Sequence, residues 1–337
     1  MPGVPVPEAP PARIGMPPGP GGGGCSLVVP VYRNRESLPE LLDQLEGLDR
    51  ALGGRLEAVF VIDGSPDDSL AWLAGELPRR PLRSQLIALS RNFGSFAAIR
   101  AGMAQASGPQ YAVMAADLQD PPELVRGFFE VLDRDGADVV IGERTGRGDP
   151  WTARIASDLF WRAYRRLVEA QIPVGGVDLF GCNRRFRDNL IALDELNSSL
   201  VGLVYWLGFR RASVPYERRP RPYGKSAWSW RRKLRYLADS VFSFTDLPIR
   251  LAFGAGLLGL VVSVVLGIAV LVAKFAGGID VPGYAATMLV IVFFGALNMI
   301  GLGILGSYTW RAFENTKRRP GFVIASQARF PAEERGG

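Results

Sequence analysis

The chain of 337 residues contains no histidine. This absence excludes histidine general acid–base catalysis, histidine–metal sites and Ser-His-Asp triads. Only two cysteines are present, Cys25 and Cys182, and they have neither metal-site spacing nor a disulfide framework. We therefore expect free thiols in a reducing compartment. Any acid–base or metal chemistry must use Asp, Glu, Tyr, Lys or Arg.

Apolar and charged residues are scarce in the first 24 residues, which are mostly Pro, Gly and other small residues and end in "GPGGGG". A charged start followed by an apolar core, as in a signal peptide, is missing. We expect residues 1–24 to be a disordered lead.

Charge is absent from two later runs, residues 251–273 and 284–307. At 1.5 Å per residue each run can span about 35 Å as a helix, and a hydrocarbon core is about 30 Å thick. Two core helices of a soluble domain are the alternative. The uncharged length and the many glycines favour two transmembrane helices over 249–310.

Flanking charge predicts the orientation of this hairpin. Residues 210–235 carry ten Lys and Arg against one acid, and four more basic residues follow the second run. The positive-inside rule then places both termini and the part of the chain before the hairpin in the cytoplasm of a multi-pass cell-membrane protein. We expect an amphipathic juxtamembrane segment over 228–248, whose cations could gather lipid phosphate at the bilayer, and a cytoplasmic tail over 311–337. Charge clustered beside a membrane span argues against nucleic acid as a partner.

Strand and helix patterns alternate between residues 25 and 227. Short apolar runs, "CSLVVPVY", "EAVFVID", "SQLIALS", "QYAVMAA" and "ADVVIGER", are separated by segments of helical periodicity. Alternation of this kind predicts an α/β fold around a mostly parallel sheet. Ser37 and Glu40 predict a capping box at the first of these helices.

Acidic residues follow two of the predicted strands. Asp63 and Asp117 come at the carboxyl ends of the second and fourth strands, where ligands bind in open α/β sheets. For Asp120, which precedes Pro121, we favour a role as helix cap over a functional one. Asp117 lies too far before that helix to cap it, which favours a functional role.

The order of motifs resembles the family 2 glycosyltransferases that load sugars onto polyprenyl phosphates, such as dolichol-phosphate mannose synthases and bactoprenol glucosyltransferases. The resemblance covers nearly all of the chain after residue 25. It rests on these segments: "VVPVYRNRESL", "VFVIDGSPDDS", "RNFGSFAAIRAG", "ADLQDPPEL", "GVDLFGCNRR", "RPYGKS" and "FTDLPIRL".

The resemblance implies a GT-A (Rossmann-like) fold and a set of site residues. Asp117 and Gln119 match the family's metal motif for Mg²⁺ or Mn²⁺. Asp178 matches an acid near the acceptor, and Arg221 and Ser226 match a loop that closes near the diphosphate. The implied nucleotide-binding positions are Pro30, Tyr32, Asn34, Asp63, Arg91 and Asp117.

Three residues depart from the family pattern. Ala115 stands where the metal motif has its first acid, Phe180 replaces an Arg, and Asn34 replaces an acid. The cation would then depend on Asp117, Gln119, the donor diphosphate and water, a set of ligands that suits Mg²⁺ or Mn²⁺.

The implied reaction is an inverting, metal-dependent transfer from a nucleotide sugar to polyprenyl phosphate, whose anion needs little help from a general base. By resemblance alone we favour UDP-glucose as the donor; GDP-mannose, a modified-sugar donor or a non-catalytic membrane scaffold remain alternatives. A processive polysaccharide synthase is disfavoured, because "WSWRRK" lacks the Gln of that class's motif and only one hairpin follows. A homo-oligomer is left open.

Overall fold

Within its described residues, the computed structural model has eight strands that form one mixed sheet. The structure describes residues 24–134, 136–147, 161–162, 164–166, 168–173, 177, 179–193, 199–223, 230–276 and 283–331. The strands are β1 (Cys25–Val31), β2 (Leu56–Ile62), β3 (Ser84–Leu89), β4 (Gln110–Val113), β5 (Val139–Arg147), β6 (Phe180–Asn183), β7 (Arg211–Arg218) and β8 (Ile324–Phe330).

The strand order is β7-β5-β6-β4-β1-β2-β3-β8. Strands β4, β1, β2 and β3 run parallel to one another, whereas β6 and β8 each pair antiparallel with their neighbours. The chain builds outward from β1 through β2 to β3 and then returns to the other side of β1 with β4. The order therefore reverses between β1 and β4. Ligand crevices of open α/β sheets lie at such a switch point, outside the carboxyl ends of the strands.

Helices on the sheet follow from apolar residues at helical spacing. In α1 the buried positions are five leucines on one helical face, at positions 38, 41, 42, 45 and 48, and in α4 they are two phenylalanines, two leucines and one valine. The helices of this part are α1 (Leu38–Ala51), α2 (Ser69–Glu76), α3 (Ser95–Gln105), α4 (Pro122–Asp133), α5 (Arg184–Ala192) and α6 (Leu200–Trp206).

The five strands predicted from the sequence are present, and the α/β prediction is confirmed. The predicted capping box is wrong. Ser37 is the N-cap of α1, but its hydroxyl donates to the carbonyl oxygens of Asn34, at 2.9 Å, and Ala116, at 2.6 Å, and no side-chain cap bond forms. The hydroxyl instead ties the loop after β1 to the loop after β4.

Strand β8 comes from the segment that the sequence assigned to a tail. It pairs with β3 at the sheet edge from Ser84↔Phe330 to Leu89↔Ile324. The side-chain amide of Gln327 also donates to Gln85 Oε1 at 2.9 Å. The sheet is thus completed by residues that follow both apolar runs in the chain.

A second compact unit is formed within residues 230–319. It contains α7 (Trp230–Phe244), α8 (Leu247–Phe275) and α9 (Tyr284–Thr316). Large apolar side chains of α8 are exposed, among them Leu251 at 64% and Phe253 at 73%. A long exposed apolar surface is typical of a helix that meets lipid or a partner.

Within the described residues, one helix is long and apolar enough to cross a membrane, Leu247–Ala269. The two apolar runs of the sequence do lie in α8 and α9. The predicted hairpin of two transmembrane helices is not confirmed, so its second crossing is treated below as a proposal.

Candidate functional site

Two residues with left-handed backbone flank the switch point. Arg33, just after β1, has φ +57°, and the buried Leu118, after β4, has φ +61°. A left-handed conformation costs a residue with a Cβ on the order of 1–3 kcal/mol and is concentrated at functional sites. The strain at Leu118 turns the chain between Asp117 and Gln119, the two residues predicted to hold a cation.

Asp117 and Gln119 lie together and share a cationic partner. The guanidinium of Arg221 donates to Asp117 Oδ2 and, at 3.4 Å, to Gln119 Oε1. Arg218 lies 4.0 Å from the same carboxylate oxygen. Three predicted site residues, separated by up to 104 positions in the chain, therefore meet at the carboxyl end of β4.

The loop after β7 also fixes the orientation of Gln119. The backbone amide of Arg219 donates to the Gln119 carbonyl oxygen at 2.8 Å, and the Gln119 side-chain amide donates to the Arg219 carbonyl oxygen at 3.3 Å. Because its NH₂ group is used in this way, Gln119 directs Oε1 toward the Arg221 guanidinium, which Asp117 also contacts.

The donor chemistry of this pair fits a divalent cation. Mg²⁺ in proteins is commonly held by one or two carboxylates together with substrate phosphates and water. One carboxylate and one amide oxygen converge here on a positive group, so the position favours positive charge. Among the described residues no cluster of three or more His, Cys, Asp or Glu side chains exists that could hold a metal by itself.

The loops after β1 and β2 hold one another in place. Asn34 Oδ1 accepts from the Tyr32 backbone amide at 3.1 Å, and the Arg33 amide donates to Ser65 Oγ at 2.8 Å. Pro30 lies within β1, opposite Val61 of β2. Three predicted nucleotide-binding residues therefore lie on or directly after the central strand.

Asp63 uses both carboxylate oxygens to organise the loop after β3. They accept from the backbone amides of Phe93, at 2.7 Å, and Gly94, at 2.9 Å. Burial raises the pKa of Asp63, and these amides and the charge of Arg91 oppose the shift. Gly64, with φ +56°, lies so close to this loop that a Cβ would be 2.4 Å from the Arg91 carbonyl carbon.

The predicted helix-cap role of Asp120 is wrong. Pro121 is the N-cap of α4, and no side-chain cap bond forms there. Asp120 is 2% exposed, so its carboxylate is shielded from water. Burial raises the pKa of Asp120 to about 6. The charge of Arg218 and a hydrogen bond from the Ala115 backbone amide lower it, and the charge of Asp117 raises it.

Two arginines near Asp120 were not predicted as site residues. Arg144, on β5, hydrogen-bonds to the Tyr216 hydroxyl oxygen at 3.3 Å, and burial lowers its pKa. Arg218 ends β7 and influences the pKa values of both Asp120 and Arg144. Long-range pairing of β5 with β7 brings these cations to the end of β4, and no local sequence pattern signals it.

Comparison with known proteins gives the family. The model of glycosyl transferase family 2 matches residues 26–192. CsbB of Bacillus subtilis, named as a candidate glycosyltransferase, is 33% identical over 93% of this chain and 94% of its own length. The chain belongs to glycosyltransferase family 2. It is therefore a transferase, and the predicted family and the predicted α/β fold are confirmed.

Two further relatives of this family 2 glycosyltransferase have nearly the same length. An uncharacterized glycosyltransferase of Synechocystis sp. is 31% identical over 89% of this chain and 94% of its own. A prophage bactoprenol glucosyl transferase homolog of Escherichia coli K12 is 28% identical over 89% of this chain and 97% of its own. These alignments extend beyond the catalytic domain into the apolar helices.

Two predicted catalytic residues, Asp178 and Ser226, lie outside the described residues. Arg91 is exposed, and its guanidinium lies 4.0 Å from the centre of the Phe93 ring. The structure thus brings Asp117, Gln119 and Arg221 into contact and arranges Tyr32, Asn34 and Asp63 in neighbouring loops. The nucleotide, cation and acceptor roles of all these residues remain proposals.

Proposed function

We propose that this glycosyltransferase transfers a sugar, by preference glucose from UDP-glucose, to a polyprenyl phosphate at the cytoplasmic face of the cell membrane. The observation that carries the proposal is the cluster of Asp117, Gln119 and Arg221 at the switch point of a family 2 sheet. The bactoprenol relatives, similar over nearly their whole length, support the class of acceptor.

Recognition of the nucleotide is assigned to the loops beside β1. Tyr32 and Asn34 would contact the nucleoside, and Asp63 would act by holding the loop that carries Arg91. Since ligand crevices open outside the carboxyl strand ends at the switch point, a nucleotide held there would extend its diphosphate toward Asp117.

Chemistry at this site is mainly electrostatic. Asp117 and Gln119 would hold Mg²⁺ or Mn²⁺, whose contribution is to neutralise the charge that grows on the leaving nucleoside diphosphate. Arg221, released from Asp117, would add a second positive group beside that diphosphate. A polyprenyl phosphate is already an anion at neutral pH, so it can attack the anomeric carbon without a histidine base. A single displacement would invert that carbon.

The sheet itself supports a hairpin through the membrane. The chain leaves the catalytic unit before residue 230 and returns to it at β8, which pairs with β3. Both parts of one sheet lie on one side of a membrane, so the number of crossings between them is even. Leu247–Ala269 would supply one crossing, and α9 (Tyr284–Thr316) is the helix that can supply the other.

The donor and acceptor are tested by incubating membranes that contain the protein with a panel of labelled nucleotide sugars and undecaprenyl phosphate. We expect lipid-soluble label with UDP-glucose, in an amount that rises with added acceptor. Strong labelling with GDP-mannose or a modified-sugar donor would correct the donor but keep the reaction. Absence of lipid-soluble label with every donor, from protein that is folded and membrane-bound, would contradict the proposed function.

A further inference from the structure

Neither half of the capping box predicted at Ser37 and Glu40 forms. Ser37 is 2% exposed and has helical backbone angles, φ −87° and ψ −14°, whereas a capping side chain acts from an extended backbone. Pro39, in the first turn of α1, has no amide to be capped, and Glu40 accepts from Gln44 Nε2 at 3.3 Å. The buried Ser37 hydroxyl is therefore available for a bond outside α1.

That hydroxyl joins two loops at the switch point of the sheet. The parallel pairing of β1 with β4 ends at Val28 and Val113. Beyond this point the Ser37 hydroxyl lies 2.6 Å from the Ala116 carbonyl oxygen and 2.9 Å from that of Asn34. A hydroxyl has one proton to donate, so the two carbonyl oxygens share it. The position of each loop therefore affects the bond that holds the other.

Both joined loops contain a residue with left-handed backbone. Arg33 lies directly before Asn34, and Leu118 lies two positions after Ala116. Strained conformations of this kind persist only where the surrounding structure holds them. The Ser37 hydroxyl is one of the groups that hold both loops, and it does so from a buried position.

The two carbonyl groups that Ser37 contacts are next to the proposed ligand contacts. The Asn34 side chain accepts from the Tyr32 amide at 3.1 Å, so Asn34 is bonded both to Tyr32 and to Ser37. On the other side, Ala116 directly precedes Asp117. One side chain thus lies between the residues proposed for the nucleoside and the carboxylate proposed for the cation.

We propose that Ser37 is a positioning residue that couples the nucleoside loop, residues 32–34, to the cation loop, residues 115–119. The inference rests on the proposed function, because it takes these two loops as the places where nucleoside and cation bind. A nucleoside that orders the first loop would fix the Asn34 carbonyl and, through Ser37, the Ala116 carbonyl. Asp117 is then held in place before the cation arrives, so the cation binds more tightly. Such coupling acts equally in both directions.

The test uses uridine, which has the nucleoside of UDP but no phosphate that could contact a cation. Mn²⁺ affinity of the full-length protein in detergent is measured by calorimetry, with and without uridine at saturation. We expect uridine to tighten Mn²⁺ binding at least about 5-fold in the wild type and to leave it unchanged in Ser37→Ala. Ser37→Ala removes no cap bond, because none is present. Ser37→Thr retains a hydroxyl and should retain the coupling.

Ser26→Ala is the matched control for a general loss of stability. The Ser26 hydroxyl is also buried and also donates at 2.6 Å, to Glu57 Oε2. Ser26 lies near the amino end of β1, at the opposite edge of the sheet from the two loops. This variant should keep the full effect of uridine on Mn²⁺ binding. If Ser37 were only structural, Ser37→Ala would lower the Tm and keep that effect too.

The outcomes separate this inference from the proposed function. The inference is overturned, and the proposed function stands, if uridine leaves Mn²⁺ affinity unchanged in the wild type or if Ser37→Ala keeps the coupling. UDP binding without uridine binding would also overturn it, because residues 32–34 would then not contact the nucleoside. If the wild type binds neither UDP nor Mn²⁺, the proposed function fails and the inference falls with it.

A measurement on the wild type decides the case in which Ser37→Ala does not fold. Hydrogen exchange is followed at the amides of residues 116–119, without metal, before and after uridine is added. We expect uridine to slow this exchange at least about 5-fold, because the cation loop becomes ordered together with the nucleoside loop. Unchanged exchange would overturn the inference.

Discussion

Asp117→Asn is expected to lower the rate of sugar transfer by at least about 100-fold while leaving the protein folded. Asp117 lies at the carboxyl end of β4, at the switch point of the sheet, and its carboxylate already holds the guanidinium of Arg221. Asparagine keeps the shape and removes the charge. Loss of one preorganised electrostatic group at a reacting centre costs on the order of 10²–10³ in rate. The measurement is initial-rate transfer at saturating donor.

Asp43→Asn, on the exposed surface of α1, is the control for this change and should retain wild-type transfer. The expected defect is electrostatic, so raising the Mn²⁺ concentration should recover only part of the rate. Transfer by Asp117→Asn at the wild-type rate would show that the cation and the diphosphate bind elsewhere in the molecule.

A cysteine placed at Ile279 is expected to react with a membrane-impermeant maleimide from the outside of intact cells, and one placed at Ala325 is not. Residue 279 belongs to the connection between the two apolar runs. Ala325 is exposed on β8, and β8 is paired with β3 of the catalytic sheet. The difference should be nearly complete, because a membrane either separates a thiol from the reagent or does not.

The chain offers a low background for this labelling, since its native thiols, Cys25 and Cys182, are buried. Burial also raises the pKa of Cys25 to about 11, which keeps the unreactive thiol form at neutral pH. The Ala325→Cys variant should label after permeabilisation, which shows that its thiol is accessible. Outside labelling at 325, or none at 279, would contradict the two crossings and move the catalytic domain away from cytoplasmic nucleotide sugars.

The sequence was sufficient to place Asp63 and Asp117 at the carboxyl edge of the sheet. Apolar runs separated by helical periods predict parallel strands, and acids that follow such strands, like Asp63 and Asp117, must lie at one edge of the sheet. These inferences use patterns within short segments of the sequence, and such patterns do not depend on how distant parts of the chain pack. The strained backbone at Leu118 and the turn between Asp117 and Gln119 needed the structure, because leucine gives no signal of a left-handed conformation.

Asp120 shows why a local pattern can mislead. An acid before a proline pair is typical of a helix cap, but Pro121 takes the N-cap position and Asp120 is buried. The two arginines whose charges affect its pKa, Arg144 and Arg218, come from β5 and β7. These paired strands are separated by some 70 residues in the sequence. Burial and long-range charge set the environment of Asp120, and neither is encoded in the segment around it.

Strand β8 was missed for a related reason. The segment "IASQARF" is short, and most of its side chains are exposed, so it lacks the alternation that predicts a strand. Its partner β3 lies more than 230 residues earlier in the chain. Pairing with an open edge depends on main-chain hydrogen bonds more than on side-chain pattern, and these carry little sequence signal.

The central claim is a single, metal-dependent displacement onto a lipid phosphate. The most direct test determines the anomeric configuration of the product by NMR, from purified protein in nanodiscs supplied with undecaprenyl phosphate, Mn²⁺ and the α-linked donor that the panel selects. We predict a β-linked polyprenyl phosphosugar, no product in excess EDTA and recovery when Mn²⁺ is added back. An α-linked product, or an undiminished rate in EDTA, would contradict it.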